Sequence, residues 1–133
     1  MKKKIVVLAG DGIGPEIMAS GVTILKKAVE HANITFEFEE HPFGGAGIDA
    51  KGEPLPQDTL VACQQADAIL LGAIGGPKWE QAEQTPEQGL LALRKALHLF
   101  ANIRPISVPN ALLPLSPIKN ISSKERILLL FEN

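Results

Sequence analysis

The run Ile5-Val6-Val7-Leu8-Ala9 passes without a spacer into Gly10-Asp11-Gly12-Ile13-Gly14-Pro15-Glu16. A short β-branched apolar run stopped by glycine reads as a buried strand. Pro15 and Glu16 then suit a first helical turn: proline's missing N–H is not needed there, and a carboxylate meets the positive end of the helix dipole. The same order returns later. Ala68 to Leu71 is a second buried strand closed by Gly72, a glycine-rich loop runs to Glu87, and Gln88 to Leu99 has helical spacing. A chain that repeats strand, glycine turn and helix is constrained to an α/β sandwich with at least some parallel pairing.

The segments between fill in the order. Ile17, Met18, Gly21, Val22, Leu25, Ala28 and Val29 recur at helical spacing and predict one buried face on a helix reaching about Ala32. Thr35 to Glu40 alternates apolar and polar residues, as an antiparallel or edge strand does. Gly44 to Pro56 reads as a long loop and Asp58 to Ala66 as a short helix. Asn102 to Ser107 is expected to be extended. Frequent prolines from Pro105 to Pro117 mark a boundary or crossover, and the apolar run Ile127 to Phe131 reads as a strand that needs a neighbour.

Composition narrows the function classes. Hydrophobic residues make up 45% and charged residues 21%, which suits a globular chain and not a disordered one. The formal net charge is −2 and the basic residues form no long patch, so a nucleic-acid partner is not expected. No apolar run approaches the roughly 20 residues of a membrane span. The basic start Met1-Lys2-Lys3-Lys4 with Ile5 to Ala9 mimics a signal peptide, but the apolar run is too short and enters glycine with no cleavage site. Cys63 is the only cysteine, so no intrachain disulfide can form, and a cytoplasmic location is the expectation.

Three stretches can carry chemistry. The first glycine turn fails the dinucleotide fingerprint, because the place of its last glycine holds Ile17. A tight strand-to-helix turn and a ligand approach to bare backbone both remain open there. The second loop, Gly72-Ala73-Ile74-Gly75-Gly76-Pro77-Lys78-Trp79-Glu80, follows a buried strand, where open α/β sheets hold ligands; a surface loop anchored by Trp79 is the alternative. On the helix from Gln88, Leu90, Leu93, Ala96, Leu97 and Phe100 share one arc, expected to be core. Arg94 stands beside Leu90, with Leu91 and His98 just beyond, and Arg104 follows on an extended segment. Two guanidinium forks beside leucines would suit a small acid with two carboxylates and a branched alkyl group. Surface arginines with snorkelling stems are the competing account. His31, His41 and His98 lie at no metal-ligand spacing, and no serine has nucleophile-elbow context.

Taken together, these segments resemble the 3-isopropylmalate dehydrogenases. The matches are Leu8-Ala9-Gly10-Asp11-Gly12-Ile13-Gly14-Pro15-Glu16, Phe43-Gly44-Gly45-Ala46-Gly47-Ile48-Asp49, Gly52-Glu53-Pro54-Leu55-Pro56, Ala66-Asp67-Ala68-Ile69-Leu70-Leu71-Gly72-Ala73, Gly75-Gly76-Pro77-Lys78-Trp79, Pro86-Glu87-Gln88-Gly89-Leu90-Leu91-Ala92-Leu93-Arg94-Lys95 and Leu99-Phe100-Ala101-Asn102-Ile103-Arg104-Pro105. The first motif alone fits the wider group of β-decarboxylating dehydrogenases for isocitrate and tartrate. The Gly-Gly-Pro-Lys-Trp loop and the Gly-Leu-Leu-x-Leu-Arg-Lys helix point more narrowly to isopropylmalate.

The resemblance implies a two-domain α/β fold that is not of Rossmann type. Residues 1–104 would form part of the first, NAD- and substrate-facing domain and residues 105–133 the truncated start of the second. It implies NAD-dependent oxidation and decarboxylation of 3-isopropylmalate to 4-methyl-2-oxopentanoate in leucine biosynthesis, with Mg2+ or Mn2+ polarising the hydroxyl and then the keto oxygen. Arg94 and Arg104 would clamp substrate carboxylates, and Leu90 and Leu91 would receive the isopropyl group. Ile13, Gly75, Gly76, Pro77, Lys78, Trp79 and Glu87 would face the cofactor. The last residues depart from the pattern: Phe131 stands where a third substrate arginine belongs. The acid-base tyrosine and lysine, the metal-binding aspartates and the segment through which these enzymes form homodimers would lie beyond Asn133. The isolated chain is therefore expected to be inactive and prone to self-association. A non-catalytic remnant or binding module, and a dehydrogenase for isocitrate or tartrate, are the alternative expectations.

Overall fold

A computed structural model describes residues 1–106 and 126–130, with the backbone alone for 105, 106 and 126–130. The chain forms two compact units, Met1–Leu97 and His98–Asn133. The sequence-based division after residue 104 falls inside a strand of the second unit.

The first unit holds a parallel three-stranded sheet in the order β2-β1-β3. The strands are β1 Lys2–Leu8, β2 Thr35–Glu40 and β3 Ala68–Leu71. Ile5 pairs with Phe38 on one side and with Ala68 on the other. The four helices are α1 Gly14–Ala28, α2 Gly45–Lys51, α3 Gln57–Gln65 and α4 Pro86–Ala96. β1 is central, and its residues Ile5 to Leu8 are the best buried run of the unit. Val6 and Leu8 turn to one face and join Phe43, Ala62 and Cys63 of the α3 side and Leu93 of α4 in the core. Strand alternation turns Ile5 and Val7, both buried, to the other face. Burial also raises the Cys63 thiol's pKa, which keeps it protonated as a small apolar core residue.

β2 is the edge strand that its alternation suggested, and its pairing is parallel. Only one of its faces is covered, so Phe36 and Phe38 are half-buried and meet edge to face at 6.0 Å, while Thr35 and Glu37 are exposed. The basic start is part of β1. Lys2 and Lys4 reach across to Glu37 and Glu39 of β2 at 2.6 Å each, and Lys3 reaches Asp67 at 2.6 Å. These pairs let the strand begin well before its apolar run.

Three elements differ from the sequence reading. α1 stops at Ala28, short of Ala32, and its expected buried face is only half-buried at Met18, Gly21, Val22, Leu25 and Val29, with Ile17 and Ala28 exposed. α2 lies inside the expected loop Gly44 to Pro56. Its glycines give it little helical propensity, and its first amides are held by a carboxylate from elsewhere in the chain, described below. α4 begins earlier than Gln88: Thr85 is the N-cap, Pro86 follows, and Gln88 Oε1 accepts the Thr85 N–H at 3.2 Å. It also stops early, because His98 takes a left-handed conformation with φ 54°. Leu93 is buried and Leu90, Ala96 and Leu97 are half-buried as the arc requires, but Phe100 falls past the helix end and is 81% exposed.

In the second unit, β4 Asn102–Ile106 and β5 Arg126–Leu130 pair antiparallel, with Arg104 opposite Leu128. The expected strand Ile127 to Phe131 is thus matched up to Leu130. The proline-rich stretch after Ile106, the serines beyond it and Phe131 lie outside the described residues.

Asp67 ties β1 to the approach of β3. Its carboxylate accepts from Lys3 Nζ at 2.6 Å and from the Lys4 N–H at 2.8 Å, and these bonds, the lysine's first, hold its pKa below the ordinary 3.8. A carboxyl group with a depressed folded-state pKa stabilises the fold above its ordinary value and loses that contribution as pH falls through the folded value. The urea midpoint should therefore decline as pH drops below about 4. Asp67→Asn should flatten that decline, and an unchanged pH profile in the variant would contradict the assignment.

Candidate functional site

In a sheet of order β2-β1-β3 the first crossover leaves β1 in one direction and the second returns past it in the other. The carboxyl ends of β1 and β3 therefore open onto a crevice, the place where open α/β sheets take ligands. Both glycine loops emerge there. They are joined at once, by Gly72 N–H to Leu8 O at 2.8 Å and Asp11 N–H to Ala73 O at 2.7 Å.

Asp11 stands at the centre of this crevice and is 4% exposed. Its Oδ2 accepts the Gly45 N–H at 2.8 Å and the Gly75 N–H at 2.9 Å, and its Oδ1 accepts the Ala46 N–H at 2.7 Å. The carboxylate thus caps α2 and fastens the second glycine loop. Sequence reasoning passed over Asp11. The available signal was an acidic residue between two glycines directly behind a buried strand, where a carboxylate has backbone N–H groups as its nearest donors.

The second loop turns through a short 3-10 segment, Pro77–Trp79, before α4 begins. Trp79 lays its indole on Gly45, and any side chain there would collide with the ring. Lys78 pairs with Asp49 of α2 at 2.6 Å and lies 5.1 Å over the Trp79 ring. Gly75 has φ 93°, and a Cβ on it would come within 2.6 Å of Glu87 Oε1. Glu87 in the first turn of α4 therefore sits directly over the glycine backbone.

Gly76, Pro77, Trp79, Glu80, Pro86 and Glu87 line one cavity of about 170 Å³. Four of these residues are among the seven expected at the cofactor. Gly75 and Lys78 adjoin the cavity in the chain, whereas Ile13 is the N-cap of α1 and is 55% exposed. Glu80 and Pro86 were not foreseen. Trp79 Nε1 is buried and has no hydrogen-bond acceptor among the described residues. A cavity walled by an indole, proline rings and bare glycine, with a carboxylate at its edge, fits a flat polar ring bearing an N–H donor.

The residues expected at the substrate divide between the units. On α4, Arg94 is half-buried, Leu90 packs on the core, and Leu91 is 64% exposed. Arg104 lies on β4 of the second unit, where it is exposed and its Nε donates to Asn102 Oδ1 at 3.3 Å. Among the described residues no three His, Cys, Asp or Glu side chains gather at metal-binding spacing, so no step through a metal is derived from them. Among them too, no helix is long and apolar enough to cross a membrane.

Gly75 is held at φ 93°, and the Glu87 carboxylate over it can turn aside at little cost, so backbone strain sets the penalty. Gly75→Ala should lower stability by about 1–2 kcal/mol in urea unfolding. An unchanged midpoint would contradict the left-handed backbone.

Comparison with known proteins supplies an independent frame. The sequence profile of the family described as isocitrate/isopropylmalate dehydrogenase matches residues 4–133. The 3-isopropylmalate dehydrogenase of Listeria innocua serovar 6a is 69% identical over 119 residues, which cover 90% of this chain and 34% of that protein. That of Streptococcus thermophilus strain CNRZ 1066 is 60% identical over 119 residues, with the same coverage of 90% and 34%. Among solved structures, a β-decarboxylating dehydrogenase from Thermococcus kodakarensis superposes with TM-score 0.68 at 29% identity, covering 98% of this chain and 34% of that one. Isocitrate dehydrogenase from Methylococcus capsulatus gives TM-score 0.66 at 26% identity, covering 96% and 33%. The chain spans about a third of the length of these relatives.

Proposed function

The chain belongs to the isocitrate/isopropylmalate dehydrogenase family, and we propose that it supplies the nicotinamide-facing and part of the substrate-facing wall of a 3-isopropylmalate dehydrogenase. The reaction would be NAD-dependent oxidation at C2 followed by loss of the β-carboxylate as carbon dioxide, within leucine biosynthesis. The observation that carries this reading is the cavity between the second glycine loop and α4, because Gly76, Pro77, Trp79 and Glu87 line it together.

Bound NAD would supply the hydride acceptor. The chain's own residues would orient it: Glu87 accepts from the carboxamide N–H₂, the Trp79 face and Pro77 exclude water, and Gly76 leaves the ring room to approach the backbone. Arg94 would hold one substrate carboxylate through both of its oxygens, with Arg104 for the other. Leu91, open on the surface of α4, would meet the isopropyl branch, with Leu90 behind it. Apolar contact of that size favours a branched alkyl group over the carboxymethyl group of isocitrate by about 1–3 kcal/mol. The divalent metal, Mg2+ or Mn2+, would be held by residues other than those described, consistent with a chain that spans a third of its relatives. A cytoplasmic homodimer is the corresponding setting.

The test is a chimera in which this chain's matched segment replaces the corresponding third of the Listeria innocua relative. It should form NADH from 3-isopropylmalate, NAD and Mg2+. Arg94→Lys should lower kcat/KM roughly 10- to 100-fold, because a lysine cannot hold a carboxylate bidentately. Leu90→Ser with Leu91→Ser should shift preference away from the branched acid. A folded chimera that forms no NADH, or one whose acid preference is untouched by the leucine changes, would sink the reading.

A further inference from the structure

The cavity exists only if the second glycine loop keeps its place. Three side-chain contacts tie that loop to α2, beside the backbone bond from the Asp11 N–H to Ala73 O and the Glu87 carboxylate over Gly75. The Gly75 N–H donates to Asp11 Oδ2 at 2.9 Å, and the same carboxylate takes the Gly45 and Ala46 N–H groups at 2.8 and 2.7 Å. Farther on, Trp79 rests on Gly45 and Lys78 pairs with Asp49 at 2.6 Å. The lysine pair is exposed and therefore weak, so the buried carboxylate is the dominant tie.

We propose that Asp11 is a positioning residue for the cofactor loop. Its carboxylate locks α2 and the loop into one body, and thereby sets the distance between the Trp79 side of the cavity and Glu87. Only an acceptor with two oxygens meets this geometry. Three N–H groups face the side chain, and an asparagine amide would turn an N–H₂ donor toward at least one of them. The carboxylate has lost nearly all contact with water, so the loop cannot leave it without uncovering a buried charge. The proposal rests on the dehydrogenase reading only for the identity of the ligand that the loop serves.

Trp79 is the chain's single tryptophan, so its fluorescence reports this loop alone. In Asp11→Asn, acrylamide quenching of Trp79 should rise severalfold while far-UV circular dichroism stays that of the unsubstituted chain. NADH titrated against the same fluorescence should bind about tenfold more weakly, the size of one lost hydrogen bond to a charged group. Unchanged quenching in a folded variant would overturn the proposal. A second measurement does not depend on the variant folding. In the unsubstituted chain the amides of Gly45, Ala46 and Gly75 should all be protected from exchange with solvent deuterium relative to an unfolded chain, because one carboxylate holds all three. Free exchange at Gly75 with protection at Gly45 and Ala46 would overturn it equally. Absence of any NADH effect on the unsubstituted chain would count against the cofactor reading and would leave the quenching and exchange results to decide Asp11.

Discussion

Three backbone N–H groups from two separate parts of the chain converge on the carboxylate of Asp11, at 2.7 to 2.9 Å. Each would otherwise be a donor withdrawn from water near the core with no partner. One acidic side chain satisfies all three, and their dipoles in turn stabilise its charge where almost no solvent reaches it. Remove that carboxylate and α2 loses its first-turn acceptor while the loop after β3 loses its anchor. The cavity beside α4 is built on both.

The sheet explains why the carboxylate stands where it does. β1 is the central strand, and Asp11 follows its end by a single glycine turn, where the crossover to β2 leaves β1 and past which the crossover from β2 to β3 returns. A side chain projected from that point meets whatever the neighbouring loop carries. Here it meets Gly75, whose left-handed φ of 93° turns its N–H toward the carboxylate and brings its bare Cα beneath Glu87. Gly10 and Gly14 of the first turn serve a different end from a dinucleotide fingerprint: they let the backbone of the second loop close on the first at Ala73.

The residues proposed to meet the substrate lie in different parts of the fold. Arg94, Leu90 and Leu91 ride on α4, whose inner face Leu93 buries against Val6 and Leu8 of β1. Their placement follows from core packing. Arg104 sits on the two-stranded sheet of the second unit, a separate compact body.

Local signals in the sequence determined the α/β class, the bounds of β3, the edge position of β2 and the face of α4 that carries Arg94; the burial expected of β3 is not found, since Ile69 and Leu70 are half-buried and Ala68 and Leu71 exposed. Each depends on periodicity or on a glycine or proline stop, which act within a few residues. Only the tertiary structure decided that Gly45–Lys51 is helical, since its cap arrives from Asp11, 34 residues away. It alone decided that α4 ends at a left-handed His98 and leaves Phe100 outside the core. It also chose Asp11 among the acidic residues. Its place between two glycines behind a strand hints at this carboxylate, but its role comes from donors that folding brings to it from distant segments.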